Sequence, residues 1–225
     1  MELKHRYDRN LIISDSEQEL LKEKRVAVLG AGGLGGYVIE MLARMGIGGL
    51  LIFDFDDFSE SNLNRQILSK ENNLGKNKAM EAQKRVEETN SEVKVDVVTE
   101  KLELAKIKEK LEGCDAVVDC LDTVKDKLAL QNISKELGIP MVHGAIGGWF
   151  GQVTTIMPGN DTLNFIYPNG EEPDSSEGNP SFIPAVIAGI QVSETVKVLL
   201  GYEDILQRKL LAVDLFSNEV TVATL

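Results

Sequence analysis

At 225 residues, with 43% hydrophobic and 27% charged side chains, the chain has the composition of an ordinary globular protein and enough length for one sizeable core. Its formal charge of −12 opposes non-specific attraction to nucleic acid or to an anionic membrane, and no basic run stands out. Two cysteines, Cys114 and Cys120, are too few for a disulfide framework or a four-thiolate zinc site.

Residues 1–4 lack an apolar signal segment, so the chain is expected to stay in the cytoplasm. An amphipathic helix over 16–24 is expected next, capped by Ser14 or Ser16, with Glu17 and Glu19 near its positive end. An apolar strand at 26–29 runs into the loop Gly30-Ala31-Gly32-Gly33-Leu34-Gly35-Gly36, which opens a helix over 34–45. In that context a G-x-G-x-x-G pattern means nucleotide or dinucleotide binding. Gly30 permits the tight turn, Gly32 and Gly33 keep the backbone bare beside a phosphate, and Gly35 lets the helix pack on the strand. A second strand, 50–53, ends at Asp54, near the distance at which an acidic residue accepts hydrogen bonds from a ribose.

Helix at 74–89, strand at 93–98, helix at 104–111, strand at 116–120, helix at 123–137 and strand at 141–145 follow. Asn90-Ser91 and Gly138 act as breakers between them. Strands alternating with helices demand a mostly parallel sheet covered on both faces, an α/β class. The second half changes character. Strands at 152–157 and 163–167 are expected to pair antiparallel, and a loop rich in Pro, Gly, Asn and Ser spans 167–181. A helix over 182–200, interrupted by Pro184, Gly189, Glu194 and Lys197, reads as buried or interfacial rather than membrane-spanning. A hairpin of 210–214 and 220–223 turns at Ser217-Asn218. The chain reads as a single domain, 1–225, with a nucleotide half to about 145 and a second half from about 146.

A nicotinamide cofactor does not call for the polar residues that follow Asp54. Asp56, Asn62, Arg65, Gln66 and Lys78 add a carboxylate, two amides and two cations. An arginine fork and a lysine point charge complement one another on a highly charged phosphate chain, so a triphosphate with its metal fits better than a pyrophosphate. Asp122 follows the strand at 116–120, at the carboxyl edge where such sheets bind ligands.

In combination and order, these motifs resemble the MoeB/ThiF/HesA family, relatives of the ubiquitin-activating enzymes. The matching stretches are Arg6-Tyr7-Asp8-Arg9-Asn10, the Gly30 loop, Asp54-Phe55-Asp56, Ser61-Asn62-Leu63-Asn64-Arg65-Gln66, Gly75-Lys76-Asn77-Lys78, Asp119-Cys120-Leu121-Asp122 and residues 144–152. The resemblance implies a Rossmann-like sheet and ATP- and Mg²⁺-dependent adenylation of the C-terminal Gly-Gly carboxylate of a ubiquitin-like sulfur carrier of the ThiS or MoaD type. It implies Asp54 on the ribose, Arg65 and Lys78 on the phosphates with Asn62 and Gln66 assisting, and Asp122 on Mg²⁺. It also implies a homodimer in which Arg9 reaches the partner's triphosphate, and a crossover loop at 167–181 over which the carrier tail passes.

Two departures bear on this. The family's usual Asp-Asn is Asp122-Thr123 here, and its following arginine is Lys127. Relatives hold a structural zinc with two Cys-x-x-Cys pairs. This chain has Thr162-Leu163-Asn164-Phe165 at the first and ends at Leu225, so no structural zinc is expected. No cysteine lies after Cys120, so a separate sulfur donor protein is expected. Isolated His5 and His143 are expected to be packed or surface histidines. The competing readings are adenylation of a small-molecule or peptide carboxylate, or of modified tRNA. A different class is an NAD-dependent oxidoreductase or a nucleotide sensor.

Overall fold

The computed structural model describes residues 5–172 and 178–225. Its eight-stranded sheet has the order β3-β2-β1-β4-β5-β6-β7-β8. The strands are β1 (Arg25–Leu29), β2 (Gly49–Phe53), β3 (Lys94–Val98), β4 (Ala116–Asp119), β5 (Met141–Gly147), β6 (Phe150–Ile156), β7 (Lys209–Asp214) and β8 (Glu219–Thr224). The first five are parallel, and β6, β7 and β8 add on antiparallel. This is the mostly parallel, antiparallel-extended sheet expected from the sequence.

Helices cover both faces because the central strands are apolar on both. In β1, Val26 and Val28 pack into one core cluster, and Ala27 and Leu29 into the other. The first cluster is closed by α2 (Gly33–Met45), α3 (Lys78–Thr89) and α7 (Phe182–Leu200), and Leu21 of α1 (Asp15–Glu23) joins it. The second is closed by α4 (Leu104–Leu111), α5 (Val124–Leu137) and α6 (Thr162–Ile166). Each fully buried Leu or Ile side chain contributes about 1.5–3 kcal/mol. Local chemistry sets the helix ends. Ser14 and Glu17 form a capping box at α1, Thr123 caps α5, and Gly46, Gly138 and Gly201 end α2, α5 and α7 in the left-handed conformation.

Three expectations change. The run at 163–167 is not a strand but the short helix α6. Leu163 is buried with its N–H donated to Gln131 Oε1 at 2.7 Å, while Phe165 points to solvent. A five-residue, mostly apolar run is too short for its periodicity to separate helix from strand, and the tertiary contact with α5 decides it. The helix expected from 74 begins only at Lys78, because Gly75 is left-handed (φ 78°) and Asn77 caps with its side chain on the Met80 N–H. The strand expected from 152 begins two residues earlier, at Phe150. Residues 173–177 of the expected crossover loop lie outside the described residues.

Among the described residues α7 alone is long and apolar enough to cross a membrane, and half of it is buried in the fold. Its buried polar side chains are partly satisfied there, although Gln191 Oε1 has no partner among the described residues. Glu194 accepts from Thr155 Oγ1 and the Leu206 N–H, and Gln191 donates to the Asp119 carbonyl.

Candidate active site

Strand order reverses between β1 and β4, which leave the sheet in opposite directions at their carboxyl ends. A crevice must open at such a switch point. It is a cleft of about 1250 Å³, lined by the glycine loop after β1, the segment after β2, and residues 120–124 after β4. The loop is packed to its limit: a Cβ on Gly35 would lie 1.8 Å from the Gly30 carbonyl, and one on Gly30 (φ 99°) 2.5 Å from the Cys120 carbonyl. These glycines let α2 start directly against the β1–β4 edge. Gly32, at the N-cap of α2, brings no side chain to cap it, so the positive end of the helix faces the cleft bare.

Gly30, Gly32, Gly33, Asp54, Asp56, Arg65, Gln66, Lys78 and Asp122 all line this one cleft. Asp54 accepts the Ala31 N–H (2.7 Å) and the Asp56 N–H (3.0 Å), tying the glycine loop to the end of β2. Burial raises its pKa, and those two N–H donors oppose the rise. Lys78 is buried at the first turn of α3, with Nζ 3.0 Å from Asp56 Oδ2. The late start of α3 is what places it there, since Asn77 donates to the carbonyls of both Asp54 and Asp56. Arg65 spends part of its fork on the Ser61 carbonyl and Asn64 Oδ1, both at 2.9 Å. Gln66 Oε1 is buried and has no partner among the described residues.

Asn62, Gly35 and Arg9 are not brought to the cleft wall. Asn62 is buried and accepts the Ser59 N–H at 3.0 Å, holding the 3₁₀ turn Glu60–Asn62 that precedes Arg65. Gly35 acts through packing. Arg9 is exposed in the N-terminal segment, whose Tyr7 hydroxyl accepts from Asn90 at the C-terminal end of α3 and packs against Gly46 at that of α2.

One buried network was not legible from the sequence. Asp119, fully buried at the end of β4, accepts from Lys127 Nζ (3.2 Å), His143 Nδ1 (2.7 Å) and the Leu121 N–H (3.0 Å). Lys127 also donates to the Gly144 carbonyl at 3.0 Å. Burial alone would raise the Asp119 carboxyl, but the Lys127 ammonium and the His143 hydrogen bond outweigh it and hold the group below its usual range. Burial also lowers the pKa of His143, with the Asp119 hydrogen bond only partly offsetting it. Asp119 and His143 are paired residues in the β4–β5 register, so strand pairing was the missing signal.

A pH dependence follows. Above the ordinary histidine value His143 is neutral whether folded or unfolded, and its environment imposes no penalty. As pH falls below about 6.5, the unfolded chain binds a proton that the folded chain refuses, and stability declines toward the lower folded pKa. Wild-type melting temperature is therefore expected to drop more steeply between pH 7.5 and 5 than that of His143→Gln. Parallel slopes would refute this.

Both thiols are poor nucleophiles. Burial raises the pKa of Cys114 and, more strongly, of Cys120 beside the glycine loop. Among the described residues no group of three or more His, Cys, Asp and Glu side chains is arranged to hold a metal.

The model of the ThiF family matches residues 7–225. The chain belongs to the ThiF family. It is 34% identical over 217 residues to the SAMP-activating enzyme E1 of Haloferax volcanii, covering 93% of this chain and 80% of that protein. It is 31% identical over 232 residues to the molybdopterin-synthase adenylyltransferase of Haemophilus influenzae, covering 98% and 96%. The crystal structure of PaaA superposes with a TM-score of 0.82 at 25% identity, covering 98% of this chain and 72% of that one. Against two longer relatives the chain spans about half of their length (55% and 50%). This ThiF-family chain thus has relatives named as adenylyltransferases, two of them by name adenylyltransferases of sulfur carrier proteins.

Proposed function

We propose that this chain uses ATP and Mg²⁺ to adenylate the C-terminal carboxylate of a ubiquitin-like sulfur-carrier protein that ends in Gly-Gly. The observation that carries the proposal is the convergence of Asp54, Arg65, Lys78 and Asp122 on one cleft at the bare N-terminus of α2. The names of the relatives, among them a sulfur carrier protein ThiS adenylyltransferase, support the carrier as substrate.

A carboxylate oxygen of the carrier attacks the α-phosphorus, the bond from that phosphorus to the bridging oxygen breaks, and pyrophosphate leaves with both electrons. The attacking group is already ionised, so no general base is needed, and catalysis rests on placement and charge neutralisation. Asp54 accepts the ribose hydroxyls with the lone pairs that Ala31 and Asp56 leave free. Arg65 and Lys78 neutralise the phosphates, and the unpaired Gln66 oxygen accepts a nearby donor. Asp122 lines the cleft, exposed, with no hydrogen-bond partner among the described residues. One carboxylate plus phosphate oxygens is a donor set that suits Mg²⁺, which Asp122 would hold and which would supply charge neutralisation for the phosphates.

With no accessible thiolate, the chain stops at the acyl-adenylate, and a separate sulfur donor protein completes the transfer. Incubation with ATP, Mg²⁺ and purified ThiS- or MoaD-type carriers should add AMP to the carrier by mass. No adduct and no pyrophosphate exchange with any carrier would overturn the reading.

Arg9 supports a homodimer. Its neighbour Tyr7 touches the C-terminal ends of α2 and α3, whereas the cleft lies at their N-terminal ends, and the 13 residues of α2 span roughly 20 Å. An arginine so placed serves the cleft of a second subunit, not its own. Arg9→Ala and Asp122→Ala, each inactive alone, are expected to recover about one quarter of wild-type activity when mixed in equal amounts. Half of the dimers are then mixed, and each mixed dimer holds one intact site. No recovery after verified subunit exchange would exclude the role in trans.

A further inference from the structure

Only Cys120, Leu121 and Asp122 separate the end of β4 from Thr123, the N-cap of α5. The first two are pinned. The Cys120 N–H donates to the Leu29 carbonyl at 3.0 Å, and its own carbonyl lies where a Cβ on Gly30 would come within 2.5 Å. The Leu121 N–H donates to Asp119 Oδ1 at 3.0 Å, a turn closed by a side chain that stands in for a backbone carbonyl. Leu121 also packs against the second core cluster. On the far side, Thr123 Oγ1 accepts the Asp126 N–H at 3.2 Å. Asp122 thus stands on the cleft wall between two fixed points.

The carboxylate that closes the turn is braced from every side. Lys127 Nζ lies 3.3 Å from Oδ1 and 3.2 Å from Oδ2, and His143 Nδ1 lies 2.7 Å from Oδ2. Gln191 of α7 holds the Asp119 carbonyl at 2.9 Å. Oδ1, the oxygen that His143 leaves free, is the one that takes the Leu121 N–H. Stability alone does not explain the arrangement, because well-packed apolar residues of similar volume often do as well as a buried ion pair. What an apolar pair cannot supply is the acceptor that closes the turn.

We propose that Asp119 is a positioning residue for Asp122: its Oδ1, braced by Lys127 and His143, closes the turn that presents the Asp122 carboxylate to the cleft. Asp119 is fully buried, so it acts through the backbone of Leu121 and touches no ligand itself. The inference rests on the reading of Asp122 as the carboxylate that holds Mg²⁺, and deepens it by naming the residue behind it.

The test is calorimetric: ATP affinity measured with Mg²⁺ and with EDTA, in the absence of any carrier and so without turnover. Two double variants both remove the charge pair and differ only in the acceptor. Asp119→Asn with Lys127→Met keeps an oxygen for the Leu121 N–H, its amide nitrogen facing His143 Nδ1, which accepts in the other tautomer. Asp119→Ala with Lys127→Met removes that oxygen. The asparagine pair is expected to keep the Mg²⁺-dependent gain in ATP affinity. The alanine pair loses about tenfold of it, the scale on which a residue behind a metal ligand acts, with its affinity in EDTA unchanged. Asp122→Ala loses the same gain, and adding it to the alanine pair brings no further loss, because both act through one carboxylate. Should the alanine pair show no folding transition, Asp119→Val with Lys127→Met fills the space and reads the same quantity. An equal Mg²⁺ gain in the alanine and asparagine pairs, or an equal fall in affinity with EDTA, would overturn the proposal while leaving Asp122 and adenylation standing. No Mg²⁺ gain in the wild type, or one undiminished in Asp122→Ala, would overturn both the proposal and the metal role of Asp122.

Discussion

Arg65→Ala is expected to lower carrier-dependent pyrophosphate exchange by about 100- to 1,000-fold, the usual cost of one preorganised charge donor at a transferring group. The arginine reaches the cleft from a short 3₁₀ segment pinned by Asn62 and Ser59, and its fork is pre-oriented by the Ser61 carbonyl and Asn64 Oδ1. Much of its side-chain entropy is therefore already spent before a nucleotide binds. Lysine at this position keeps the charge but not the fork, so Arg65→Lys should recover only part of the loss. The fold should be unaffected, because the side chain is half-buried at the surface and touches no core cluster. Unchanged exchange in Arg65→Ala, with wild-type melting behaviour, would remove the arginine from the phosphate site and weaken the whole reading.

Lys127→Met carries the largest expected effect on stability. Lys127 and Asp119 are both buried, and removing one member of such a pair leaves an uncompensated charge, at a cost of about 3–5 kcal/mol. The loss reaches further than the pair, since Lys127 also bonds the Gly144 carbonyl and so joins α5 to β4 and β5. A second titratable partner is at hand, however. His143 already bonds Asp119, and the Lys127 charge helps to keep it neutral. With Lys127 gone, protonation of His143 is easier and would restore a positive partner for the carboxylate. The deficit of the variant relative to wild type, measured by urea unfolding, is thus expected to shrink as pH falls from 8 toward 6. In the wild type the same histidine works against stability once the pH falls below about 6.5. A deficit below about 1 kcal/mol at pH 8 would mean that the pair behaves like an exposed one.

Much of this architecture was legible because the signals are local. The strand–glycine–helix sequence at 25–45 has one reading, and Asp54, Lys78 and Asp122 each lie beside a boundary that hydrophobic periodicity locates to within a few residues, while Arg65 stands out by its polar neighbours Asn62, Asn64 and Gln66. What escaped was settled by contacts distant in sequence. Residues 163–167 became a helix because Gln131 of α5 captures the Leu163 N–H. Asn62, expected among the phosphate ligands, turned inward to satisfy the Ser59 N–H. His143 looked solitary because its partner stands 24 residues away on the neighbouring strand.

The amino-acid order by itself determined the alternation of elements, the two-sided apolar strands, the caps and the bare glycine turn, since each depends on residues within a few positions of one another. Tertiary structure decided which polar groups meet: Lys127 with Asp119 and His143, Gln152 with Tyr167, and Gln191 beneath Gly144, where a Cβ would lie 2.4 Å from its amide carbon. Those meetings depend on strand order and register across long crossovers. Both are fixed by packing the two faces of the sheet at once, a constraint that no local stretch of sequence carries.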